Sequence, residues 1–256
     1  MLRVRAMSLA LCLSWTVAVS GANAGEREDR VQQDRASGAA NSAAGDEGAR
    51  HAYQVAAIGD SLTDPRSHGG KYLSYLRDRC PASRFDNYGR GGENVAQMRR
   101  RFARDILGLP ADPRQPKPAY SHVIIFGGVN DILSEMCQAR TPTRIKDDME
   151  AMYDLATRAG IRVVAISVSP WAGYTRFYNP RRAAATREVN DWIFSQQREG
   201  KIDFALDASE VLTCGDSERL CSTFEMRWIH DGLHFNADAH TKLGRALHES
   251  VFADCS

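Results

Sequence analysis

The sequence of 256 residues has no excess of charge of one sign and no apolar run long enough to cross a membrane comfortably. Lys and Arg total 33 and Asp and Glu total 32, so the formal net charge is +1. This balance argues against a protein dedicated to nucleic acid or to anionic membranes. The apolar run from Met7 to about Val19 is shorter than the roughly 20 residues that a membrane-spanning helix needs.

Cysteine pairs at zinc-binding spacing are also absent. The sequence has 6 cysteines but no Cys-x-x-Cys pair, so a structural zinc site is not expected. No internal repeat is visible, which gives no support to a repeat architecture.

The first 50 residues have the features of an export signal and a linker. Arg3 and Arg5 precede the apolar run, and a small-residue stretch ends at Ala24, which is typical of a secretory signal peptide over 1–24. Its removal deletes two arginines and no acids, so the formal charge changes from +1 to −1. Residues 25–50 have almost no large apolar side chains, which predicts a disordered linker. The sequence therefore predicts an exported protein, periplasmic or secreted, with one domain at 51–256.

The domain alternates between strand patterns and helix patterns. Strands are predicted at 53–59, 83–89, 120–128, 161–170 and 202–208, and helices at 70–80, 94–107, 143–160, 181–200 and 237–252. This alternation predicts an α/β fold, a three-layer sandwich with a parallel sheet between two layers of helices. In such sheets, functional residues lie beyond the carboxyl ends of the strands.

Several chemically complementary residues fall at that edge of the predicted sheet. They supply a hydroxyl, backbone donors, an amide, a carboxylate and an imidazole, which together can carry out acyl transfer. They are Ser61 after the first strand, Gly91 and Gly92 after the second, Asn130 after the third, and Asp231 and His234 before the last helix.

Four stretches together resemble the SGNH (GDSL) hydrolase family. They are GDSLTD at 59–64, NYGRGGEN at 87–94, GGVND at 127–131 and DGLHFN at 231–236. Their order and the alternation of strands and helices resemble that family from 51 to 253. The resemblance implies a five-stranded parallel sheet with the flavodoxin-like order 2-1-3-4-5.

The resemblance also implies a role for each residue. Ser61 is expected to be the nucleophile, His234 its general base, and Asp231 the carboxylate that orients the imidazole. The backbone N–H groups of Ser61 and Gly92 and the side chain of Asn130 are expected to form the oxyanion hole. Ser61 is expected at a helix start, where the helix dipole favours an anion. Asp60 is expected to bond loop backbone inside the fold.

Each assignment has an alternative in the residues themselves. Gly91 could replace Gly92 after a shift of one residue, and the glycine-rich stretch could be an ordinary flexible loop. Asn130 could be a turn or cap residue. Asp231 and His234 could cap the last helix, or bind a metal together with His230. A dinucleotide site is rejected, because Asn94 stands where the third glycine of G-x-G-x-x-G should be.

The loop at 169–180 follows the fourth strand and is rich in aromatic residues. Trp171 and Tyr174 are candidates for the substrate pocket, and packing of the loop against the core is the alternative.

Five cysteines remain after signal removal, which leaves at least one unpaired within the chain. In the strand order implied by the family, Cys80 and Cys255 end two helices on one face, which predicts a disulfide between them. Cys214 and Cys221 bracket a short polar loop and are expected to pair, leaving Cys137 free. The alternative joins Cys137 to Cys214 or Cys221.

These features predict an exported, monomeric serine esterase that uses no cofactor or metal. Its substrate would be a small or glycan-linked ester, with no nucleic-acid partner and no stable membrane anchor. Short loops and the absence of a long apolar lid favour short acyl chains or polysaccharide acetyl groups over long-chain lipids. The alternatives are a carbohydrate O-acetylesterase, an O-acyltransferase on the same site, or a binding module without turnover.

Overall fold

The computed structural model describes residues 51–111, 113, 114, 116, 118–134 and 141–256. The signal peptide and linker predicted for 1–50 lie outside the described residues, as does Cys137.

Five parallel strands form one sheet in the order β2-β1-β3-β4-β5, which confirms the predicted fold. The strands are β1 (Gln54–Gly59), β2 (Arg84–Gly89), β3 (His122–Phe126), β4 (Arg162–Ile166) and β5 (Phe204–Leu206). Gly59 pairs with Gly89 on one side and with Phe126 on the other. The first three strands therefore end level with one another, and the loops that follow them begin at one edge.

Seven helices surround the sheet in the described part of the chain. They are α1 (Lys71–Arg79), α2 (Val95–Asp105), α3 (Val129–Leu133), α4 (Pro142–Arg158), α5 (Pro180–Arg198), α6 (Ala208–Leu212) and α7 (Ala237–Val251). Five follow the sequence pattern; α3 and α6, each of five residues, are too short to show a helical period. Among the described residues, no helix is both long and apolar enough to cross a membrane.

Two hydrophobic cores lie on opposite faces of the sheet. In β3, Val123 and Ile125 pack into one core, and Ile124 packs into the other. All three side chains are buried, as expected for a central strand of a parallel sheet covered on both faces. Helices α2, α4 and α5 supply residues to the first core, and α1 and α7 to the second.

The two disulfides of the described residues join Cys80 to Cys255 and Cys214 to Cys221. The first connects the end of α1 to the C-terminal residues beyond α7. These helices pack closely at Gly244, where an added Cβ would lie 2.8 Å from the carbonyl oxygen of Tyr72.

Candidate active site

Ser61 lies in a turn directly after β1. The carbonyl oxygen of Asp60 accepts hydrogen bonds from the backbone N–H groups of Thr63 (3.1 Å) and Asp64 (2.9 Å), and the chain then forms a short 3-10 turn at Pro65–Ser67. The prediction that Ser61 begins a helix is therefore wrong, because α1 begins only at Lys71. A single turn presents the hydroxyl, without the dipole of a long helix behind it.

Ser61, His234 and Asp231 form one hydrogen-bonded chain. The Oγ of Ser61 lies 3.0 Å from Nε2 of His234, and Nδ1 of His234 lies 2.6 Å from Oδ2 of Asp231. An ionised carboxylate can only accept, so the proton of a neutral imidazole sits on Nδ1. The lone pair of Nε2 then faces the Ser61 hydroxyl.

Asp231 is held as an anion by its surroundings. Its Oδ1 accepts the backbone N–H groups of Leu233 (3.0 Å) and His234 (2.9 Å). Partial burial raises its pKa, but the hydrogen bonds from the His234 side chain and from these two N–H groups outweigh burial. The net effect lowers the pKa of Asp231 to about 2.

The helix-cap alternative for Asp231 and His234 is wrong. Helix α7 is capped by Asn236, whose side chain accepts the backbone N–H of Ala239 at 3.0 Å. Asp231 and His234 instead lie on the loop before this cap, where Gly232 has a φ of +69°.

The metal alternative needs His230 beside Asp231 and His234. His230 is exposed, and the three do not bring ligand atoms within 4.8 Å of one another. Among the described residues, Cys80, His248 and Cys255 meet that criterion, but the two sulfurs are joined in a disulfide.

Gly92 and Asn130 line the same cleft as Ser61. The Nδ2 of Asn130 donates to the carbonyl oxygen of Glu93 at 3.0 Å, which ties α3 to the loop after β2. Within the described part of the chain, the backbone N–H groups of Ser61 and Gly92 have no acceptor, although both residues line the same cleft. Gly91 differs, because its N–H donates to Oδ2 of Asp64 at 2.8 Å. The free donor is therefore that of Gly92.

Buried charged groups fix the loops that carry these donors. Arg101 is 4% exposed and donates to Glu93 (2.6 Å) and to the carbonyl oxygen of Gly59 (3.4 Å). Asp131 is also buried and accepts the backbone N–H of Val95 at 2.9 Å. These contacts join the end of β1 and helix α3 to helix α2 and to the loop before it.

Asp60 points into the fold, as expected from its structural role. Its Oδ1 accepts the N–H of Leu62 at 2.9 Å, whereas Oδ2 has no partner among the described residues. Complete burial disfavours the charged form and raises the pKa of Asp60 to about 7.

The cleft around Ser61 is open and has a volume of about 560 Å³. Tyr174 lines it, as one of the two predictions for the aromatic loop requires. Trp171 does not: it is fully buried, and its Nε1 donates to Oγ1 of Thr186 at 3.0 Å. For Trp171 the alternative of packing against the core is therefore correct.

The cleft also contains residues that the sequence pattern did not single out: Asp64, Arg66, Ser67, Leu133 and Leu233. Leu133 stands three positions after Asn130, which places both on one side of α3. The motif had drawn attention to Asn130, so this spacing could have identified Leu133. Arg66 and Ser67 lie on a 3-10 turn too short to have a period.

The fold, together with the residues at the carboxyl edge of the sheet, defines a class of protein. A five-stranded parallel sheet carries a serine, a histidine and an aspartate in one hydrogen-bonded chain beyond its carboxyl ends, as in three-layer α/β enzymes with reactive loops at that edge. The model of the GDSL-like lipase/acylhydrolase family matches residues 57–242, and the chain belongs to this family. It is a carboxylic ester hydrolase by this membership.

Solved structures share the fold at low sequence identity. A GDSL-like lipase from Bacteroides thetaiotaomicron is 18% identical, with a TM-score of 0.62 over 78% of this chain and 88% of that chain. A member of the lipolytic G-D-S-L family from Veillonella parvula is 19% identical, with a TM-score of 0.55 over 78% and 98%. An acetylxylan esterase from Geobacillus stearothermophilus, solved as a catalytic mutant, is 15% identical, with a TM-score of 0.59 over 78% and 94%. No curated protein matches the chain.

Proposed function

We propose that this protein is an exported serine esterase in which Ser61, His234 and Asp231 form the catalytic triad. The observation that carries the proposal is the 3.0 Å separation between Oγ of Ser61 and Nε2 of His234, with Asp231 on the opposite ring nitrogen. A serine hydroxyl is a weak nucleophile near neutral pH and needs a base within hydrogen-bond reach. His234 supplies that base.

Acylation begins as Oγ of Ser61 attacks the ester carbonyl carbon and its proton moves to Nε2 of His234. Asp231, ionised at neutral pH, stabilises the imidazolium that forms. The tetrahedral intermediate then breaks its bond to the alcohol oxygen, which takes the proton from Nε2. The alcohol leaves, and the acyl group remains on Ser61.

The negative charge of the intermediate needs donors that exist before the substrate arrives. We assign this role to the N–H groups of Ser61 and Gly92 and to Nδ2 of Asn130. The two backbone groups have no acceptor among the described residues, so a substrate oxygen would supply one. Fixed donors of this kind stabilise the transition state because they need no reorganisation.

Deacylation repeats these steps with water. His234 removes a proton from the water as its oxygen attacks the acyl carbon, and the proton returns to Oγ of Ser61 as the acid leaves. An acceptor alcohol in place of water would make the same site an O-acyltransferase. The open cleft gives either acceptor access.

Export is part of the proposal and has two supports. The first 24 residues have the features of a secretory signal peptide. The described part of the domain also contains two disulfides, which persist in oxidising compartments.

We infer that the substrate is a small or glycan-linked ester. The cleft is open, and its lining mixes polar groups with two leucines and a tyrosine, which suits a short acyl group better than a long chain. A carbohydrate O-acetylesterase is the second candidate. It is favoured by the same preference for a short acyl group and by the fold that this chain shares with the acetylxylan esterase.

Turnover of p-nitrophenyl esters of two to twelve acyl carbons, beside acetate release from acetylated glycans, tests the proposal. We expect the highest kcat/KM for the shortest esters and loss of all turnover in Ser61→Ala. Faster turnover of acetylated glycans than of p-nitrophenyl acetate would favour the carbohydrate O-acetylesterase as the function. A correctly processed wild-type protein that cleaves none of these esters would leave the binding-module alternative.

A further inference from the structure

Arg66 projects into the cleft that contains Ser61 and is held there by one buried carboxylate. Its Nε and Nη2 each lie 3.1 Å from an oxygen of Asp64, and its backbone N–H donates to Oδ1 of Asp64 at 3.0 Å. The side chain of Arg66 is 76% exposed, whereas that of Asp64 is 4% exposed. The guanidinium therefore reaches solvent while its anchor stays inside the fold.

The anchor is rigid and stays charged. Asp64 also accepts the N–H of Gly91 at 2.8 Å. Burial raises the pKa of Asp64, but the hydrogen bonds from Arg66 and Gly91 outweigh this and hold the pKa below its usual range. Two parallel bonds to a fixed carboxylate also set the plane of the guanidinium. Little side-chain entropy is then left to lose when Arg66 binds a ligand.

Hydrogen-bond donors remain for a ligand after Arg66 has bound Asp64. Nη1 of Arg66 and Oγ of the adjacent Ser67 have no partner among the described residues, and both residues line the cleft. Among the described residues that line the cleft, Asp64 supplies the one carboxylate, and it is already paired with Arg66. Within this part of the lining, an anion therefore meets free donors and no free carboxylate.

We propose that Arg66 and Ser67 form a subsite for an oxyanion group of the substrate, a carboxylate or a phosphate carried by the alcohol or the acyl part of the ester. This inference rests on the proposed esterase function and narrows its substrates to acidic esters. An arginine whose plane is fixed matches the paired oxygens of such groups. Remote binding of this kind positions the ester carbonyl over Ser61.

Matched substrates separate the two sources of the anion. On the alcohol side, 4-acetoxybenzoate and 4-acetoxyphenyl phosphate are compared with neutral methyl 4-acetoxybenzoate. On the acyl side, p-nitrophenyl hydrogen adipate is compared with p-nitrophenyl hexanoate. The readout is the ratio of kcat/KM between the acidic and the neutral ester of each set, at low and at high ionic strength.

We expect Arg66→Gln to lower this ratio by roughly tenfold in at least one set, mainly through KM, since it removes a charge-assisted contact. Arg66→Lys keeps the charge and should recover part of the ratio. High salt should lower the ratio in the wild type more than in Arg66→Gln. Arg245→Gln, which changes an exposed arginine on α7, should behave as the wild type.

The subsite proposal is wrong if the ratio of kcat/KM between acidic and neutral esters is the same in Arg66→Gln and in the wild type for both substrate sets. It is also wrong if the loss is equal on acidic and neutral esters, which would show that Arg66 only supports the Gly91 loop. The esterase proposal fails separately, if the wild type and Arg245→Gln cleave neither the acidic nor the neutral esters.

Discussion

Gly173 and Gly232 pack backbone against backbone, so that a Cβ added to Gly173 would lie 2.7 Å from Cα of Gly232. Gly173 belongs to the aromatic loop after β4, and Gly232 lies between Asp231 and His234. The aromatic loop therefore supports the loop that carries two members of the proposed triad. No side chain fits between Gly173 and Gly232.

Gly173→Ala should displace the Asp231–His234 loop. Because the added methyl group meets backbone and not the end of a flexible side chain, the loop itself must move. A shift of about 1 Å in catalytic geometry can cost on the order of 10²-fold in rate. We expect kcat to fall by roughly ten- to hundredfold, measured with p-nitrophenyl acetate. An unchanged kcat in a folded variant would show that the contact is not needed.

Gly92→Ala tests the backbone conformation that directs the Gly92 N–H of the proposed oxyanion hole. Gly92 has a φ of +76°, and an added Cβ would meet nothing within 4 Å, so the cost is backbone strain of roughly 1–2 kcal/mol. Gly160 and Gly200 have φ values of +73° and +70° with similar open space, and they lie at the ends of α4 and α5. They are matched controls.

We expect the three variants to lose similar free energies of unfolding in urea, but only Gly92→Ala to lose kcat, by tenfold or more. Equal kcat in all three would show that the reaction does not depend on the glycine conformation at position 92.

Asn130→Asp keeps the shape of the side chain and replaces a donor by a charge. The carboxylate would repel both the developing oxyanion and the carbonyl oxygen of Glu93, which Nδ2 now approaches to 3.0 Å. We expect kcat to fall by roughly 10²- to 10³-fold with a smaller change in KM. Asn190→Asp is the control, because among the described residues the Asn190 side chain bonds the backbone of Val168 alone, so the change should affect stability and not kcat. A similar kcat in both variants would argue against a role for Asn130 in the reaction.

Asp60→Asn should change how stability depends on pH. The pKa of Asp60 is raised to about 7 in the folded protein, whereas in the unfolded chain it is near 3.9. The unfolded state therefore loses the proton first, and this group lowers stability as pH rises from about 4 to about 7. Asparagine resembles the neutral acid and removes this effect.

Relative to wild type, the free energy of unfolding of Asp60→Asn should rise by about 4 kcal/mol between pH 4 and pH 8. Urea titrations at several pH values measure it. A difference between the two proteins that does not vary with pH would mean that Asp60 is ionised throughout.

Much of the fold follows from periodicity, because the strand runs are apolar and the long helices are amphipathic. The strand predictions at 120–128 and 161–170 run past the observed ends at Phe126 and Ile166. The residues that follow are still buried, but they leave the sheet to form the site edge. Apolar composition reports burial, and it cannot tell a strand from the buried loop after it.

The candidate site was predictable where a motif marks it and not elsewhere. The structure brings Ser61, His234 and Asp231 together as the motif spacing suggested, while their catalytic roles stay a prediction. Arg66 was missed because its position depends on Asp64, whose burial only the folded loop reveals. The sequence leaves Trp171 ambiguous, because an aromatic residue in a loop after a strand can either pack inward or line a pocket.

The central claim is that His234 activates the hydroxyl of Ser61. A fluorophosphonate probe bonds to a serine whose proton is removed as it attacks, and mass spectrometry of the digest locates the adduct. We expect a single adduct on Ser61 in the wild type, none in Ser61→Ala, and labelling slowed by at least a thousandfold in His234→Ala. Equal labelling rates for Ser61 in wild type and His234→Ala would contradict the claim, as would an adduct on another residue.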